Sequence, residues 1–430
     1  MAKEEVTVKP YNSGGWRAHY ILIICFLLYV INYADRQIFA AVLQLMKNDL
    51  NLTDAECGLL QTIFLVGISL FAFPAGHLID RWSRKKSIAA MAVIWSASTY
   101  VTGLAKSFTG VLLPRAIVGI GEAGFTAGGT ALIGAAYPNA YRGRVFGIFN
   151  TAIIVGIALG TILGGAIATK YGWRAPFLYF AIPGVILGIL ALFIKDYTTT
   201  ASPTASNGKS DFLGSIVALY NIPSLKWFFL GYGILNFTST SFLVWTPAYA
   251  MRTMNWSAAQ ASLVVGIATL VCILGPPIGG FIGDYWQKKN PRGRVLLACV
   301  AAVIGTILLL LLTFLKFTIP GIAIFTLWGT INIMILPILA AVSQDVVPAS
   351  HKGLSFGLAA AAAYLLGGAW GPVVTGKLSD AFGGGADGLT YALAITCIGG
   401  FIGAFFMYLA SRHYAEDTEK VKGEQVVMGA

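Results

Sequence analysis

Residues 76–85 have the sequence GHLIDRWSRK, a short polar and basic stretch between two long apolar segments. A related stretch, GFIGDYWQKK, occupies residues 280–289 and keeps the Gly, the Asp and the basic pair at the same spacing. Two further segments, which begin at Pro138 and Pro348, also match each other in the positions of Arg or Lys, Gly and Phe-Gly. The first pair of stretches is 204 residues apart and the second pair is 210 residues apart, in each case about half of the chain. The sequence therefore predicts two repeated halves.

The composition is typical of a membrane protein. Hydrophobic residues make up 57% of the 430 residues and charged residues only 11%, whereas a soluble domain carries roughly 25% charged residues. A helix needs about 20 apolar residues to cross about 30 Å of hydrocarbon. Twelve segments meet this requirement: 19–45, 56–79, 87–105, 109–136, 145–168, 174–195, 226–250, 259–283, 295–314, 319–343, 353–378 and 389–411. The sequence therefore predicts an all-α membrane protein with twelve transmembrane helices.

The longest polar interruption divides these segments into two groups of six. Residues 198–210 are rich in Thr, Ser, Gly and Lys, a composition typical of a flexible linker. We therefore predict four regions: a six-helix bundle over 1–195, a linker over 196–225, a second six-helix bundle over 226–411 and a tail over 412–430. Two such bundles place a substrate site near the middle of the membrane, between them.

The distribution of Lys and Arg predicts the orientation in the membrane. With a cytoplasmic N-terminus, 20 of the 29 Lys and Arg fall on the cytoplasmic side, 7 on the opposite side, and two, Arg36 and Arg115, within the membrane. Cytoplasmic loops carry an excess of these residues, so both termini are predicted to be cytoplasmic, in a plasma membrane or a bacterial inner membrane. The same distribution explains the net charge of +11 without nucleic-acid binding.

The stretch at 76–85 resembles the signature loop between helices 2 and 3 of the major facilitator superfamily, and 280–289 resembles a weaker copy of it. Arg115-x-x-x-Gly119-x-Gly121 in the fourth segment is similar to the superfamily's helix 4 motif, whose Arg is linked to proton coupling. The resemblance implies the major facilitator fold, with two pseudo-symmetric six-helix halves. It also implies a carrier that works by alternating access, not an enzyme.

Three segments resemble the Spinster branch of that superfamily: NYADR at 32–36, GIGEA at 119–123 and YGWRAPF at 171–177. This branch is associated with the export of lysophospholipids and sphingosine phosphates, so the resemblance implies a lysophospholipid-like amphiphile as substrate. The anion–cation symporter branch shares an Asp-Arg in helix 1 and a Glu-Ala in helix 4. A small organic anion such as a sugar acid is therefore the alternative substrate.

Four charged residues lie well inside the predicted spans, away from their ends: Asp35 and Arg36 in the first, and Arg115 and Glu122 in the fourth. A charge at the centre of a membrane helix costs ~2.5–3.5 kcal/mol, and such residues are usually functional. At 1.5 Å per residue, Asp35 and Arg115 fall at comparable depth, and Glu122 lies two turns from Arg115 on nearly the same face. We therefore expect these side chains to form a cluster that faces a central cavity.

This charged cluster suggests two roles. Asp35, Glu122 and Arg115 are candidates for proton coupling, because a cation that moves toward or away from a buried carboxylate changes its affinity for a proton. Arg36 or Arg115 can instead bind an anionic headgroup, because Arg binds phosphate through two hydrogen bonds. The alternative is a permanent ion pair that only holds helices 1 and 4 together.

Other polar residues within the spans are candidates for binding substrate. They are Asn32, Tyr33, Thr126, Asn236, Trp245, Asn332 and Tyr364. The alternative for each is a hydrogen bond to a neighbouring helix, with no contact to substrate.

The charged residues of the signature stretch are candidates for gating. They are Asp80, Arg81, Arg84 and Lys85, together with Asp284 in the copy. We expect Asp80 to lie near a helix N-terminus, where a carboxylate is favourable, and the cations to pair across the two halves. The alternative is that the positive charges only fix the topology.

Several other functions are disfavoured. The five Cys are scattered and the four His lie at the edges of spans or outside them, so we expect no metal site, no cofactor and no catalytic base in the membrane. GLSFG at 353–357 matches a nucleophile elbow, but its counterpart in the first half, GRVFG at 143–147, has no Ser. We also see no repeated pore loop of a channel.

The sequence therefore predicts a proton-coupled secondary transporter whose partners are the lipid bilayer, protons, and an amphiphilic lipid or small organic anion. We expect a monomer, because one chain contains a complete pathway. A membrane sensor that keeps the fold without transporting is the alternative from another class.

Overall fold

The computed structural model describes residues 15–195, 212–348 and 351–427, and no strand occurs among them. The helices of the first half are α1 (Trp16–Leu50), α2 (Asp54–Arg81), α3 (Arg84–Gly103), α4 (Phe108–Glu122), α5 (Phe125–Ala136), α6 (Asn139–Tyr171) and α7 (Arg174–Ala191). A short helix, α8 (Phe212–Tyr220), precedes the second half. The helices of the second half are α9 (Pro223–Met254), α10 (Ala258–Val271), α11 (Gly275–Lys289), α12 (Gly293–Leu315), α13 (Ile319–Ile333), α14 (Ile335–Asp345), α15 (Lys352–Ala363), α16 (Gly371–Ala381) and α17 (Gly385–Val427).

Within the described residues these helices make twelve spans, because four spans consist of two helices each. The interrupted spans are α4–α5, α10–α11, α13–α14 and α15–α16, and the last is joined through a π-helical turn at Tyr364–Gly368. Eleven spans are long and apolar enough to cross a membrane. The other is α3, which has 20 residues but carries five Ser and Thr side chains that lower its hydropathy. The predicted all-α architecture with two six-helix halves is confirmed.

The same turn joins the first two spans of each half. Asn51 ends α1 and Asn255 ends α9, both in the left-handed conformation, with φ of 52° and 53°, which Asn adopts more readily than most residues. Two residues later, Thr53 and Ser257 are the N-cap residues of α2 and α10, and each forms a capping box with the side chain three positions on. Equal turn chemistry thus gives equal geometry in the two halves.

The two halves pack against each other at one end of the bundle, which we call the closed end. It carries the turns at 51–53 and 255–257 and the turn that follows α16, and its contacts join α2 to α16, α6 to α10, and α1 to α9. At the opposite end, the open end, no comparable packing joins α5 to α14 or α15 within the described residues. The side chains of Tyr141 and Phe356 are exposed there. The halves therefore enclose a space that opens toward the open end.

The predicted linker is partly helical. Residues 196–211 lie outside the described residues, whereas 212–220 form α8 and α9 begins at Pro223. α8 leads into α9 through a turn of two residues.

The predicted tail continues the last span. α17 does not stop near residue 411 but runs to Val427, and residues 428–430 lie outside the described residues. Tyr414 on this extension is buried and donates a hydrogen bond to Asp345 (2.6 Å), and Asp417 accepts one from the backbone N–H of Ser224 (3.0 Å). The extension therefore packs against the second half at its open end.

Candidate transport site

An ion pair between α1 and α4 lies between the spans of the first half. The Nε of Arg36 donates to Oε2 of Glu122 at 2.7 Å, and its Nη2 donates to Oδ1 of Asn32 at 3.0 Å. The side chain of Glu122 is fully buried, whereas that of Arg36 is 13% exposed. Burying a charge is costly unless it is paired, so this pair is the main support for the Glu122 carboxylate in the membrane.

Two glycines allow Glu122 to be buried at this place. A Cβ on Gly119 would overlap the backbone carbonyl of Phe64 on α2, and one on Gly121 would lie 3.1 Å from the backbone N of Trp95 on α3. α4 therefore packs closely against both helices, as small residues allow in membrane bundles. It ends at Glu122, and α5 begins at Phe125.

Arg115 occupies a separate position. Its guanidinium lies between two aromatic rings, 4.5 Å from the centroid of Phe39 and 4.3 Å from that of Phe64. Its Nη2 donates to Oε1 of Gln61 at 2.8 Å. The side chain is buried, so the cation–π contacts and the hydrogen bond to the Gln61 side-chain amide stabilise this charge. The structure thus pairs Glu122 with Arg36 directly, and Arg115 acts on Glu122 only through space.

Asp35 completes the group of four charges. It is buried, its Oδ2 accepts a hydrogen bond from the Thr99 hydroxyl at 3.1 Å, and it interacts electrostatically with Glu122 and Arg115. Within the described residues, Oδ1 of Asp35 and Oε1 of Glu122 have no hydrogen-bond partner. Because buried polar atoms are nearly always hydrogen-bonded, these two oxygens are places where a proton or a water can bind.

The second half contributes tyrosines to this region. Tyr364, in the π-helical turn, packs against the buried cluster of the first half and lies near Tyr33, Arg36 and Glu122. Tyr232 on α9 lies near Tyr364 and Tyr33. The Arg36 guanidinium lies 4.5 Å from the ring centroid of Tyr33. The site therefore has charges from the first half and, among the described residues, phenol groups from the second.

The remaining predicted substrate residues lie at several levels. The Thr126 hydroxyl donates to the Tyr29 hydroxyl at 3.5 Å. Asn236 donates to the carbonyl of Tyr232 at 2.8 Å, and Asn332 to the Ser239 hydroxyl at 2.9 Å.

Trp245 lies at the closed end. It is fully buried, and its indole N–H donates to the carbonyl of Pro372 on α16 at 3.1 Å. Both residues belong to the second half. This position is away from the ion pair, so a role for Trp245 in binding substrate stays a prediction.

The predicted gating residues are described in part. The side chains of Asp80 and Arg81 lie outside the described residues, and Arg84 and Lys85 are in the first turn of α3. Asp284 accepts a hydrogen bond from Arg294 at 2.7 Å, and Arg294 also donates to Asp345 at 2.6 Å. These bonds lie within the second half, so at the open end Asp284 contacts its own half.

A second charged cluster, at the closed end, joins the two halves. Asp54 at the start of α2 is fully buried and accepts hydrogen bonds from Arg252 on α9, from Lys47 on α1 and from the Ser379 hydroxyl on α16 (2.6 Å). Arg252 also donates to Oε1 of Gln44 on α1 at 2.6 Å. This cluster is a candidate gate, because the bonds that Arg252 and Ser379 make to the first half cross between the halves and must break when the closed end opens.

The family model of the Major Facilitator Superfamily matches residues 25–372 of the chain. The chain belongs to this superfamily. It is therefore a multi-pass membrane transporter that acts on small molecules within a bilayer, and not an enzyme.

Two relatives and one solved structure refine the comparison. The hexuronate transporter of Bacillus subtilis (strain 168) is 27% identical over 378 residues, which are 84% of this chain and 88% of that protein. Protein spinster homolog 1 of Xenopus tropicalis is 27% identical over 433 residues, 93% of this chain and 81% of that protein. A crystal structure of a bacterial homolog to the human lysosomal transporter Spinster, in an inward-facing and unoccupied conformation, has a TM-score of 0.81 and 23% identity and covers 94% of this chain and 99% of its own. This superfamily transporter thus resembles the Spinster branch.

Sequence reasoning missed several residues of this superfamily member. Gln61 and Thr99 are not among the predicted site residues, although Gln61 binds Arg115 and Thr99 binds Asp35. Their polar side chains within apolar spans could have indicated a place in the site. Tyr232 was also missed, although it precedes the selected Asn236 by one helical turn and so shares its face. Asp54 had no signal beyond its position at a helix start, where acidic residues are common.

Proposed function

We propose that the protein is a proton-coupled carrier that moves a lysophospholipid-like amphiphile by alternating access. The observation that carries the proposal is the Arg36–Glu122 pair, in which a fully buried carboxylate binds a cation that is still partly exposed. A buried carboxylate that depends on one cation is suited to exchange that cation for a proton.

The coupling follows from the chemistry of this pair. A proton on Glu122 removes the negative charge that binds Arg36. Arg36 is then free to bind an anionic group such as a phosphate, which Arg binds through parallel hydrogen bonds. Loss of the proton restores the pair and displaces the anion. Asp35 and Arg115 lie within electrostatic range of Glu122, so we assign them a part in tuning its proton affinity.

The proposal includes an orientation and a division of the chain. With both termini cytoplasmic, the open end faces the cytoplasm and the closed end faces away from it. The proposed divisions are a first bundle over 1–195, a linker over 196–225, a second bundle over 226–411 and a tail over 412–430. Each chain is proposed to act as a monomer, because both halves of the site come from one chain.

The choice of an amphiphile rests on two supports. The similarity to a spinster homolog extends over 93% of the chain. In addition, the described part of the site takes its cations from the first half and uncharged phenol groups from the second, which suits one anionic headgroup followed by a less polar body. The alternative is proton-coupled transport of a small organic anion such as a sugar acid. The similarity to a hexuronate transporter supports that alternative.

Purified protein in tight proteoliposomes tests the choice. A labelled lysophospholipid and a labelled uronic acid are offered in parallel, with empty vesicles as the control. We expect protein-dependent movement of the lysophospholipid only. Movement of the uronic acid alone supports the alternative. Movement of neither, by protein that is folded and correctly inserted, supports a sensor that does not transport.

A further inference from the structure

Two helix N-termini at the closed end are capped by side chains from the other half. On α2, the backbone N–H of Asp54 donates to Oδ1 of Asp380 at 3.0 Å, and the N–H of Ala55 donates to Oδ2 at 2.8 Å. Asp380 belongs to α16, in the second half. Its carboxylate therefore contacts the positive end of a helix that belongs to the first half.

The second cap runs in the opposite direction. On α10, the backbone N–H of Ala259 donates to the hydroxyl oxygen of Thr169 at 2.9 Å. Thr169 belongs to α6, in the first half, and its hydroxyl donates in turn to the carbonyl of Gly165 at 2.9 Å. Each half thus caps one helix of the other.

The capped N–H groups are those that the helices leave unpaired. An α-helix begins with four N–H groups that have no partner inside the helix. The capping boxes of Thr53 and Ser257 use the N–H of the N-cap residue and that of the third residue. The first two N–H groups of each helix are left, and Asp380 and Thr169 bind among these.

The same short pattern carries both caps. Asp380 follows Gly376 by four residues with Leu378 between them, and Thr169 follows Gly165 by four residues with Ile167 between them. A Cβ on Gly376 would overlap the carbonyl of Asp54, and one on Gly165 would overlap the carbonyl of Ala258. In each case the glycine lets the helix touch the first residue of the capped helix.

Two further copies of the pattern lie at the open end. They are residues 76–80, GHLID, and residues 280–284, GFIGD. In the second of these, Asp284 binds Arg294 of its own half. The capping contact is therefore present at the end where the halves meet, and Asp284 has a partner within its own half where they are apart.

We propose that Asp380 and Thr169 are positioning residues of the transport cycle, each a cross-half cap that stabilises closure of the closed end and is released when that end opens. The inference rests on the alternating-access part of the proposed function. It does not depend on the substrate or on protons, so it is tested without either.

The test measures how often the closed end opens. Cys57 on α2 is buried beside Asp54, so its reaction with a membrane-impermeant maleimide reports opening. The other four cysteines are replaced, and the labelling rate is measured in detergent without substrate. When reclosing is fast, this rate is proportional to the open population.

We expect near-isosteric variants to raise the labelling rate. Loss of a helix cap costs about 0.5–2 kcal/mol, which corresponds to roughly two- to thirtyfold in an equilibrium. Asp380→Asn, which removes a charge that binds two N–H groups, is expected at the upper part of this range, and Thr169→Val at the lower part. Because the two caps do not touch each other, the double variant is expected to show the product of the two factors.

Matched controls separate the caps from general loosening. Asp387→Asn removes an exposed carboxylate at the same end. Thr161→Val removes a hydroxyl of α6 that, within the described ranges, binds the carbonyl of Ile157 in its own helix and no group of the other half. The proposal is overturned if Asp380→Asn and Thr169→Val label Cys57 at the rates of their controls. Such a result leaves the proposed substrate and proton coupling unaffected, because those are measured by transport.

Discussion

Arg252 and Asp54 form a two-point ion pair across the two halves, with Nη1 to Oδ2 at 2.8 Å and Nη2 to Oδ1 at 2.6 Å. The Asp54 side chain is fully buried and that of Arg252 is 7% exposed. Lys47 binds the same carboxylate from the first half. One carboxylate therefore binds two cations at the closed end, one from each half.

Asp54→Asn is expected to open the closed end. Removal of one member of a buried ion pair costs about 3–5 kcal/mol where the partner stays buried, and opening lets Lys47 and Arg252 reach water. Lys106, in the loop after α3, and Ile319, at the start of α13, are exposed at the closed end of opposite halves. The distance between spin labels at these two positions should shift to a longer population. Asp49→Asn is the control, because Asp49 binds Arg174 of its own half at the surface and such pairs contribute little. An unchanged distance in Asp54→Asn would refute the gate.

Glycines at the two ends of one interrupted span should act in opposite directions. A Cβ at Gly376 overlaps the backbone of α2, whereas a Cβ at Gly357 has no atom of the described residues within 4 Å. Gly376→Ala is therefore expected to disfavour the closed end, and Gly357→Ala to leave it intact. During the transport cycle the open end is expected to close through similar helix contacts. A Cβ at Gly357 would then hinder that closure, so Gly357→Ala also favours the arrangement in which the open end is open. Spin-label distances at the two ends measure both shifts, and equal effects of the two variants would contradict the prediction.

The extension of α17 is expected to stabilise the second half. Tyr414→Phe removes a buried hydroxyl that binds Asp345, which should lower the free energy of unfolding by about 1–1.5 kcal/mol. Truncation after Arg412 also removes the Asp417 cap on α9 and should lower the melting temperature further. Thermal unfolding in detergent measures both changes. Glu416→Gln, which alters an exposed pair with Lys420, is the control. If the truncated protein and the full-length protein have the same melting temperature, the extension has no structural role.

The helices were predictable because hydropathy and turn chemistry repeat along the chain. The division into two halves followed from the matched stretches at 76–85 and 280–289. The positions at which four spans are interrupted were not predictable, because packing between helices contributes to them, as where the π-helical turn at Tyr364–Gly368 packs against α9 and α2. The continuation of α17 to Val427 was not predictable, because a charged, polar sequence carries no sign of the two hydrogen bonds that join this segment to the second half.

The charged cluster was predictable in membership and not in pairing. Depth along the helices brings Asp35, Arg36, Arg115 and Glu122 to one region, but it does not give rotation about the helix axes. We attribute the pairing to the close approach of α4 to α2 at Gly119. This approach places the Arg115 guanidinium against the rings of Phe39 and Phe64, so that Glu122 pairs with Arg36. The closed-end cluster was not predictable, because its residues come together only in one arrangement of the halves.

The most direct test of the central claim is accumulation of substrate in proteoliposomes under an imposed pH gradient, for the wild type and for Glu122→Gln. The substrate is whichever compound the wild type moves, and Asp387→Asn is the control variant. A gradient of one pH unit supports about tenfold accumulation per coupled proton. We predict that the wild type and the control follow the gradient, and that Glu122→Gln equilibrates its substrate without responding to it. Accumulation by Glu122→Gln equal to that of the wild type would contradict proton coupling at the Arg36–Glu122 pair.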